Sequence, residues 1–99
     1  MSIYRVVIKP STREGKKKMA IFFDKENNRV KTTHFGAASY SDYTKHKDKD
    51  RKENYISRHR SRENWNDYTS AGSLSRYILW NKPSYTQSVY DYKKRFRLK

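Results

Sequence analysis

The sequence predicts an α+β domain in which a small antiparallel sheet of three strands is followed by three or four short helices packed on it. Two observations support this class. Apolar and polar residues alternate with period two in the first third of the chain, and helical spacing with capping residues replaces that period after Phe35-Gly36-Ala37. Because strands precede helices rather than alternating with them, a parallel α/β sheet is not expected. The 99 residues predict one domain over 1–99, with a β-meander over 1–36 and a helical part over 37–99.

Three segments have strand character. The predicted strands are the alternating residues from Tyr4 to the stop at Pro10, the apolar run Met19 to Phe23, and Arg29 to His34. The run Lys16-Lys17-Lys18 after Gly15 predicts an exposed connection between the first two strands. Residues 24–28 have the composition of a hairpin turn. A sheet this small needs helices on its apolar face to be stable.

Four helices are predicted from capping residues and helical spacing. The first runs from a cap at Ser41 to about Lys47, and the second is capped by Asp50 with Glu53 and runs from Arg51 to about Arg60. The third is capped by Thr69 or Ser70, places Ala71, Leu74, Tyr77 and Ile78 on one face, and stops at Asn81-Lys82-Pro83. The fourth is capped by Ser84 with Gln87 and directs Tyr85, Val89, Tyr92 and Phe96 toward the sheet.

The charge of the chain predicts a polyanionic partner. Twenty-four Lys and Arg face ten Asp and Glu, for a net charge of +14, which repels itself unless an anion neutralises it. Any one basic cluster is consistent with a solvated face, but three clusters without acidic compensation favour contact with nucleic-acid phosphates, with little sequence preference and strong salt dependence. The candidate contact residues are Lys16, Lys17 and Lys18 in the first loop, Arg58, Arg60 and Arg62 near the end of the second helix, and Lys93, Lys94, Arg95 and Arg97 near the C-terminus, with Lys99 beside them.

Aromatic residues make up 15% of the chain, which favours a folded domain over a disordered polycation. Because aliphatic residues are few, the aromatic side chains near the basic clusters are expected in the core in preference to stacking on bases; these are Tyr40, Tyr43, Trp65 and Tyr68. Trp80 lies off the stripe of Leu74 and Ile78, so contact with a partner protein is an alternative for it.

Residues that could carry catalysis or hold a metal are sparse. The chain has no Cys, and capping at a helix start accounts for the carboxylates beside His46. Nothing in their spacing links His34 and His59 to Asn64 or Asn66 as a hydrolytic site, so we expect no enzyme, metal or cofactor. The longest apolar run, Met19 to Phe23, is far short of the roughly 20 residues of a membrane span. No membrane association and no secretion by the usual route are therefore expected.

An ordered set of motifs extends over about residues 32–97. It consists of Thr33-His34-Phe35-Gly36-Ala37, the segment from Tyr40 to Asp48, Tyr55 with Arg58-His59-Arg60, Ser70-Ala71-Gly72, and Ile78-Leu79-Trp80-Asn81-Lys82-Pro83. This set resembles a family of small basic proteins, mostly uncharacterised, that nucleocytoplasmic large DNA viruses encode and that is also found in some algae. The resemblance implies a viral origin and a place in the virion or in the cytoplasm or nucleus of the infected host cell. It implies no catalytic residues.

Two functions fit these observations. The first is a nucleic-acid-binding accessory protein that neutralises phosphates of the viral genome, with duplex DNA as the expected partner. The alternative is a capsid-associated or other structural protein whose basic surface contacts acidic virion proteins. Both need a rigid basic surface, and the sequence leaves the choice, and the oligomeric state, open.

Overall fold

The computed structural model describes residues 2–99 and confirms the α+β arrangement. Strands β1 (Arg5–Pro10), β2 (Lys16–Phe23) and β3 (Arg29–Ala37) form an antiparallel sheet in the order β1-β2-β3. Helices α1 (Tyr43–His46) and α2 (Lys49–His59) follow. Helix α3 (Ala71–Leu74) continues directly into a π-helical turn, Ser75–Leu79, here called the π segment, and α4 (Tyr85–Arg95) is the last helix.

The core lies between one face of the sheet and the last helices. The sheet contributes the buried side chains of Val6, Phe22 and Phe35. Helix α3 and the π segment pack against β3, and α4 packs on the π segment. The burial of the stripe predicted for α4 is confirmed, since Tyr92 is fully buried while Tyr85, Val89 and Phe96 are half-buried against the core. The helix itself packs chiefly on the π segment, whereas the sheet was the predicted partner.

The C-terminal residues are fixed to the outer edge of β1. The backbone N–H of Val6 donates to the carbonyl of Lys99 at 3.1 Å, and the N–H of Lys99 donates to the carbonyl of Tyr4 at 3.0 Å. The N–H of Tyr4 in turn donates to Phe23 at the end of β2. The C-terminus therefore lies at the opposite end of the sheet from Lys16, a distance of about 23 Å along β2 at about 3.3 Å per residue.

The prediction of an exposed connection at Lys16-Lys17-Lys18 is wrong, because these residues open β2. Lys16 is paired with Ala37 and Lys18 with Phe35, so β3 also runs beyond the predicted end at His34. Backbone pairing at the end of a sheet tolerates lysine because the long side chains can reach solvent or a partner.

Two helix caps differ from prediction by one or two positions. Asp42, not Ser41, caps α1, and its carboxylate accepts a hydrogen bond from the N–H of Thr44 at 3.0 Å. Asp48, not Asp50, caps α2, which accordingly begins at Lys49. The predicted caps of the last two helices are confirmed, since Ser70 caps α3 and Ser84 caps α4.

No helix within residues 2–99 is long and apolar enough to cross a membrane.

Candidate functional site

A cleft of about 800 Å³ separates α2 from the end of the sheet where β2 begins and β3 finishes. Helix α3 and the π segment close it on a third side through Ala71, Gly72, Ser75 and Leu79. The side chains with free positive charge along its lining are Lys16 on β2 and Arg51, Arg58 and Arg62 on or just after α2. We call this feature the basic cleft.

The arginines reach the basic cleft because of their spacing on α2. Arg51, Tyr55 and Arg58 follow one another at intervals of four and three residues, which places them on one face of α2, and Arg62 lies in the turn that follows the helix. Tyr55 turns inward and is buried, whereas all three arginines are exposed. The N–H of Arg62 donates to the carbonyl of His59 at 3.0 Å, so the chain continues in a turn beyond the helix. The helix and the turn after it therefore present three guanidinium groups to the cleft, beside the buried ring of Tyr55.

A column of aromatic rings fixes α2 to the rest of the fold. The rings of Tyr55 and Trp80 stack at 4.3 Å between centroids and 3° between planes, and His59 stacks on the other face of Tyr55 at 4.3 Å. His46 lies 5.3 Å from Trp80. Burial raises the pKa of Tyr55 to about 12, so its hydroxyl is neutral at pH 7. Trp80 is half-buried in this column, which accounts for its position off the stripe of Leu74 and Ile78.

Lys17 and Asp42 form an ion pair on the wall of the basic cleft. Lys17 Nζ lies 2.6 Å from Asp42 Oδ2, and the exposed fractions of the two side chains are 10% and 2%. Burial alone raises the pKa of Asp42. The hydrogen bonds from Lys17 and Thr44 and the charge of Lys17 together outweigh burial and lower that pKa below its usual value. Lys17 therefore neutralises an internal carboxylate, and the ammonium group that was predicted to contact phosphate is already paired.

Glu63 is the second carboxylate of the cleft lining in the described residues. It lies 3.8 Å from Nδ1 of His59 and occupies the space beside Gly72, where an added Cβ would come within 2.0 Å of its Oε2. Gly72 thus makes room for this carboxylate at the start of α3. His34, considered together with His59 at the sequence level, hydrogen-bonds Ser11 at 2.7 Å between its Nδ1 and Oγ, so the two imidazoles have different partners.

The structure joins two of the three predicted clusters and separates the third. Lys16 lines the basic cleft together with Arg58 and Arg62. Lys18 instead lies over the ring of Tyr85 at 4.8 Å, and Arg60 is exposed outside the cleft lining. The cluster of Lys93, Lys94, Arg95 and Arg97, together with Lys99, also lies outside the lining, and its last residues are held at the far end of β1.

Arg60 and Arg95 belong to the surroundings of a third arginine, Arg76 of the π segment. The Arg76 guanidinium lies 5.5 Å from the ring of Trp65 and 5.2 Å from that of Tyr77, and Arg95 lies over Tyr77 at 4.7 Å. Burial lowers the pKa of Arg76, and the charges of Arg95 and Arg60 lower it further, against the opposing effect of Tyr77. We call this arrangement the arginine ladder.

Two cleft residues were missed by the sequence reasoning. Arg51 could have been found from its spacing of seven residues ahead of Arg58, which places both on one helix face. Tyr40 was expected in the core, but 74% of its surface is exposed at the mouth of the cleft. Its turn, in which its N–H donates to the carbonyl of Ala37 at 3.2 Å, carries the ring away from the core.

Comparison with known proteins gives one match. The model of a family of unknown function (DUF5754) matches residues 6–59, which is more than half of the chain. The matched region contains the sheet apart from the first residue of β1, together with α1 and α2, and therefore Lys16, Arg51 and Arg58. Searches of curated proteins and of solved structures find no match.

Proposed function

The chain belongs to the DUF5754 family of unknown function, and from the geometry of the basic cleft we propose that it binds nucleic acid through the phosphates, with little sequence preference. The observation that carries the proposal is the meeting of two remote basic segments. Lys16 and the pair Arg58 and Arg62 are more than forty residues apart in the chain, yet they line the same cleft.

The balance of charge inside the cleft supports an anionic ligand. Asp42 is neutralised by Lys17, and Glu63 is the remaining carboxylate of the lining in the described residues. Four free cations, which are Lys16, Arg51, Arg58 and Arg62, therefore outnumber it. Planar guanidinium groups bind phosphate oxygens in a bidentate manner, which suits Arg58 and Arg62 to this role.

The shape of the site favours a polynucleotide over an acidic protein surface, the alternative left open by the sequence. A protein surface would meet the exposed cations but would leave the interior of a concave cleft of about 800 Å³ unfilled. A phosphate backbone with its sugars and bases is narrow enough to enter. The resemblance to proteins of large DNA viruses further supports a viral genome as the polyanion, in the virion or the infected cell.

A salt titration of binding tests the proposal. The double variant Arg58→Gln and Arg62→Gln removes two cleft charges, and Lys25→Gln with Arg29→Gln removes two exposed charges at the other end of the sheet as a matched control. Log affinity for random duplex DNA should fall linearly with log salt, and the cleft variant should reduce the slope by about 1.8, at about 0.9 per phosphate contact.

The control variant should retain most of the wild-type slope. Equal slopes for the cleft and control variants would show that net charge, not the cleft, determines binding. Absence of binding by the wild-type protein to duplex DNA and to single strands alike at about 50 mM salt would refute the proposal and favour an acidic protein partner.

A further inference from the structure

Tyr40 is an aromatic side chain exposed at the mouth of the basic cleft. Three large hydrophobic side chains of the described residues are exposed, and Tyr40 at 74% exceeds Tyr90 at 69% and Tyr4 at 39%. Of these three, Tyr40 lines the cleft together with Lys16 and Arg58. Its ring therefore lines the same cleft as the cations that the proposed function assigns to phosphate.

The other aromatic groups of the cleft form a fixed wall. Tyr55 is held between Trp80 and His59, with both centroid distances at 4.3 Å, and its hydroxyl is neutral at pH 7. Because Tyr55 is buried and Trp80 half-buried within the column, the column has little freedom to rearrange. A flat ligand that enters the cleft would meet this wall on one side and the exposed ring of Tyr40 at the mouth.

The volume of the cleft fits a small part of a polynucleotide. About 800 Å³ is within the range of about 300–1,000 Å³ that is typical of sites for small organic molecules and cofactors. The bases of a duplex are stacked on each other, so an aromatic side chain cannot reach their faces unless a base is extruded, which costs free energy. A single strand presents its base faces without that cost, and aromatic side chains beside a basic groove are the usual means of binding one.

We infer that the basic cleft receives an unpaired nucleotide of a single strand, with its base stacked on Tyr40 and its flanking phosphates bound by Lys16, Arg58 and Arg62. This inference rests on the proposed function and makes it more specific. The exposed cations can bind the phosphates of any nucleic acid, whereas the ring of Tyr40 can stack only on an unpaired base. Single strands are therefore bound more tightly than duplexes of the same charge.

The variant Tyr40→Ala tests the stacking contact, with Tyr40→Phe to retain the ring and Tyr90→Ala as a control at an equally exposed tyrosine of α4. The probes are oligothymidylate about 12 nucleotides long, oligouridylate of the same length, and an abasic deoxyribose-phosphate strand. Tyr40→Ala should weaken binding of a base-bearing strand by about 5- to 100-fold, the range expected for one stacked base. Tyr40→Phe and Tyr90→Ala should bind as the wild type does.

Binding of the abasic strand distinguishes stacking on Tyr40 from phosphate binding by the cleft cations. This binding should be weakened by Arg58→Gln with Arg62→Gln and left unchanged by Tyr40→Ala. If the wild type binds the abasic strand as tightly as oligothymidylate and oligouridylate, the stacking inference is refuted while phosphate binding stands. If no strand binds at about 50 mM salt, the proposed function itself fails. A Tyr40→Ala effect confined to oligothymidylate or to oligouridylate supports the inference and identifies the strand as DNA or RNA.

Discussion

Replacement of Lys17 by methionine removes the cation that neutralises Asp42 on the wall of the basic cleft. The methionine keeps an unbranched side chain of similar length, so packing changes little while the charge is lost. Asp42 then remains 2% exposed without the Nζ that lay 2.6 Å away. Burying such a carboxylate reduces the free energy of unfolding, because neither water nor a counter-charge stabilises it.

The magnitude follows from the contacts that Asp42 retains. Breaking a buried ion pair by removing one partner costs about 3–5 kcal/mol. Asp42 keeps hydrogen bonds from the N–H and the hydroxyl of Thr44, so the lower end, about 3 kcal/mol, is expected. For a domain of this size the melting temperature should fall by about 12–24 °C, at about 4–8 °C per kcal/mol. Lys16→Met is the matched control, because Lys16 is exposed and its loss should leave stability unchanged.

The pH dependence of the free energy of unfolding tests the same ion pair independently, because the direction of the change can be predicted. In the wild type the pKa of Asp42 is lowered from 3.8, so the pair contributes its full stability above that value and loses it as pH falls through the lowered pKa. In Lys17→Met the hydrogen bond and the charge of the lysine no longer offset burial, so the pKa of Asp42 should rise from its wild-type value. Protonation then relieves the buried charge, so the difference between the two proteins should shrink toward about pH 3.

Thermal unfolding followed by far-ultraviolet circular dichroism at about pH 7 and about pH 3 measures both effects. The account of the ion pair would be refuted if Lys17→Met were less stable than the wild type by under about 1 kcal/mol at neutral pH, or if the difference in stability grew on acidification.

Two further predictions concern the packing behind the cleft. Phe96→Ala should lower the free energy of unfolding, measured in urea, by about 3 kcal/mol. The reason is that the ring contacts Tyr68 and Tyr92 at 5.2 Å and Tyr77 at 5.5 Å between centroids. An unchanged urea midpoint would contradict this packing. Gly36→Ala should cost about 2 kcal/mol or more, because Gly36 has a φ of +80° and an added Cβ would lie 2.7 Å from Cδ1 of Leu79. Gly15→Ala is its control in the same assay, since Gly15 has a φ of +84° with nothing within 4 Å, and equal losses would show that the contact with Leu79 is unimportant.

The order of strands and helices could be predicted from the sequence because the signals are local. Alternation in β1 and β3 and the stripe of α4 depend on side chains only a few positions apart. Ser84 was identified as a cap because Gln87 completes the motif three residues later. At the starts of α1 and α2 two capping residues lie close together, Ser41 with Asp42 and Asp48 with Asp50, and composition alone does not choose between them.

The features that the sequence did not predict correctly depend on contacts between segments that are remote in the chain. Lys17 looks like a loop lysine until β3 places Asp42 beside it, twenty-five residues further along the chain. Tyr40 looks like a core residue because the chain has few apolar side chains, and only the direction of the turn after β3 exposes it. Three of the four free cations of the cleft were nevertheless accessible from the sequence, since Lys16, Arg58 and Arg62 belong to basic clusters that composition alone reveals.

The predicted arginine cluster of α2 divides between two surfaces, which changes how its variants are interpreted. Arg58 and Arg62 line the basic cleft, whereas Arg60 is exposed outside that lining, and its charge makes a minor contribution to the lowered pKa of Arg76. Replacing the three arginines together would therefore alter both surfaces, and a loss of binding could not be assigned to either of them. The surfaces also differ physically, because Arg76 is partly desolvated between two rings while the cleft arginines are exposed. A guanidinium already packed on rings is held by those contacts, and the freely exposed pair is better placed to exchange water and counterions for phosphate.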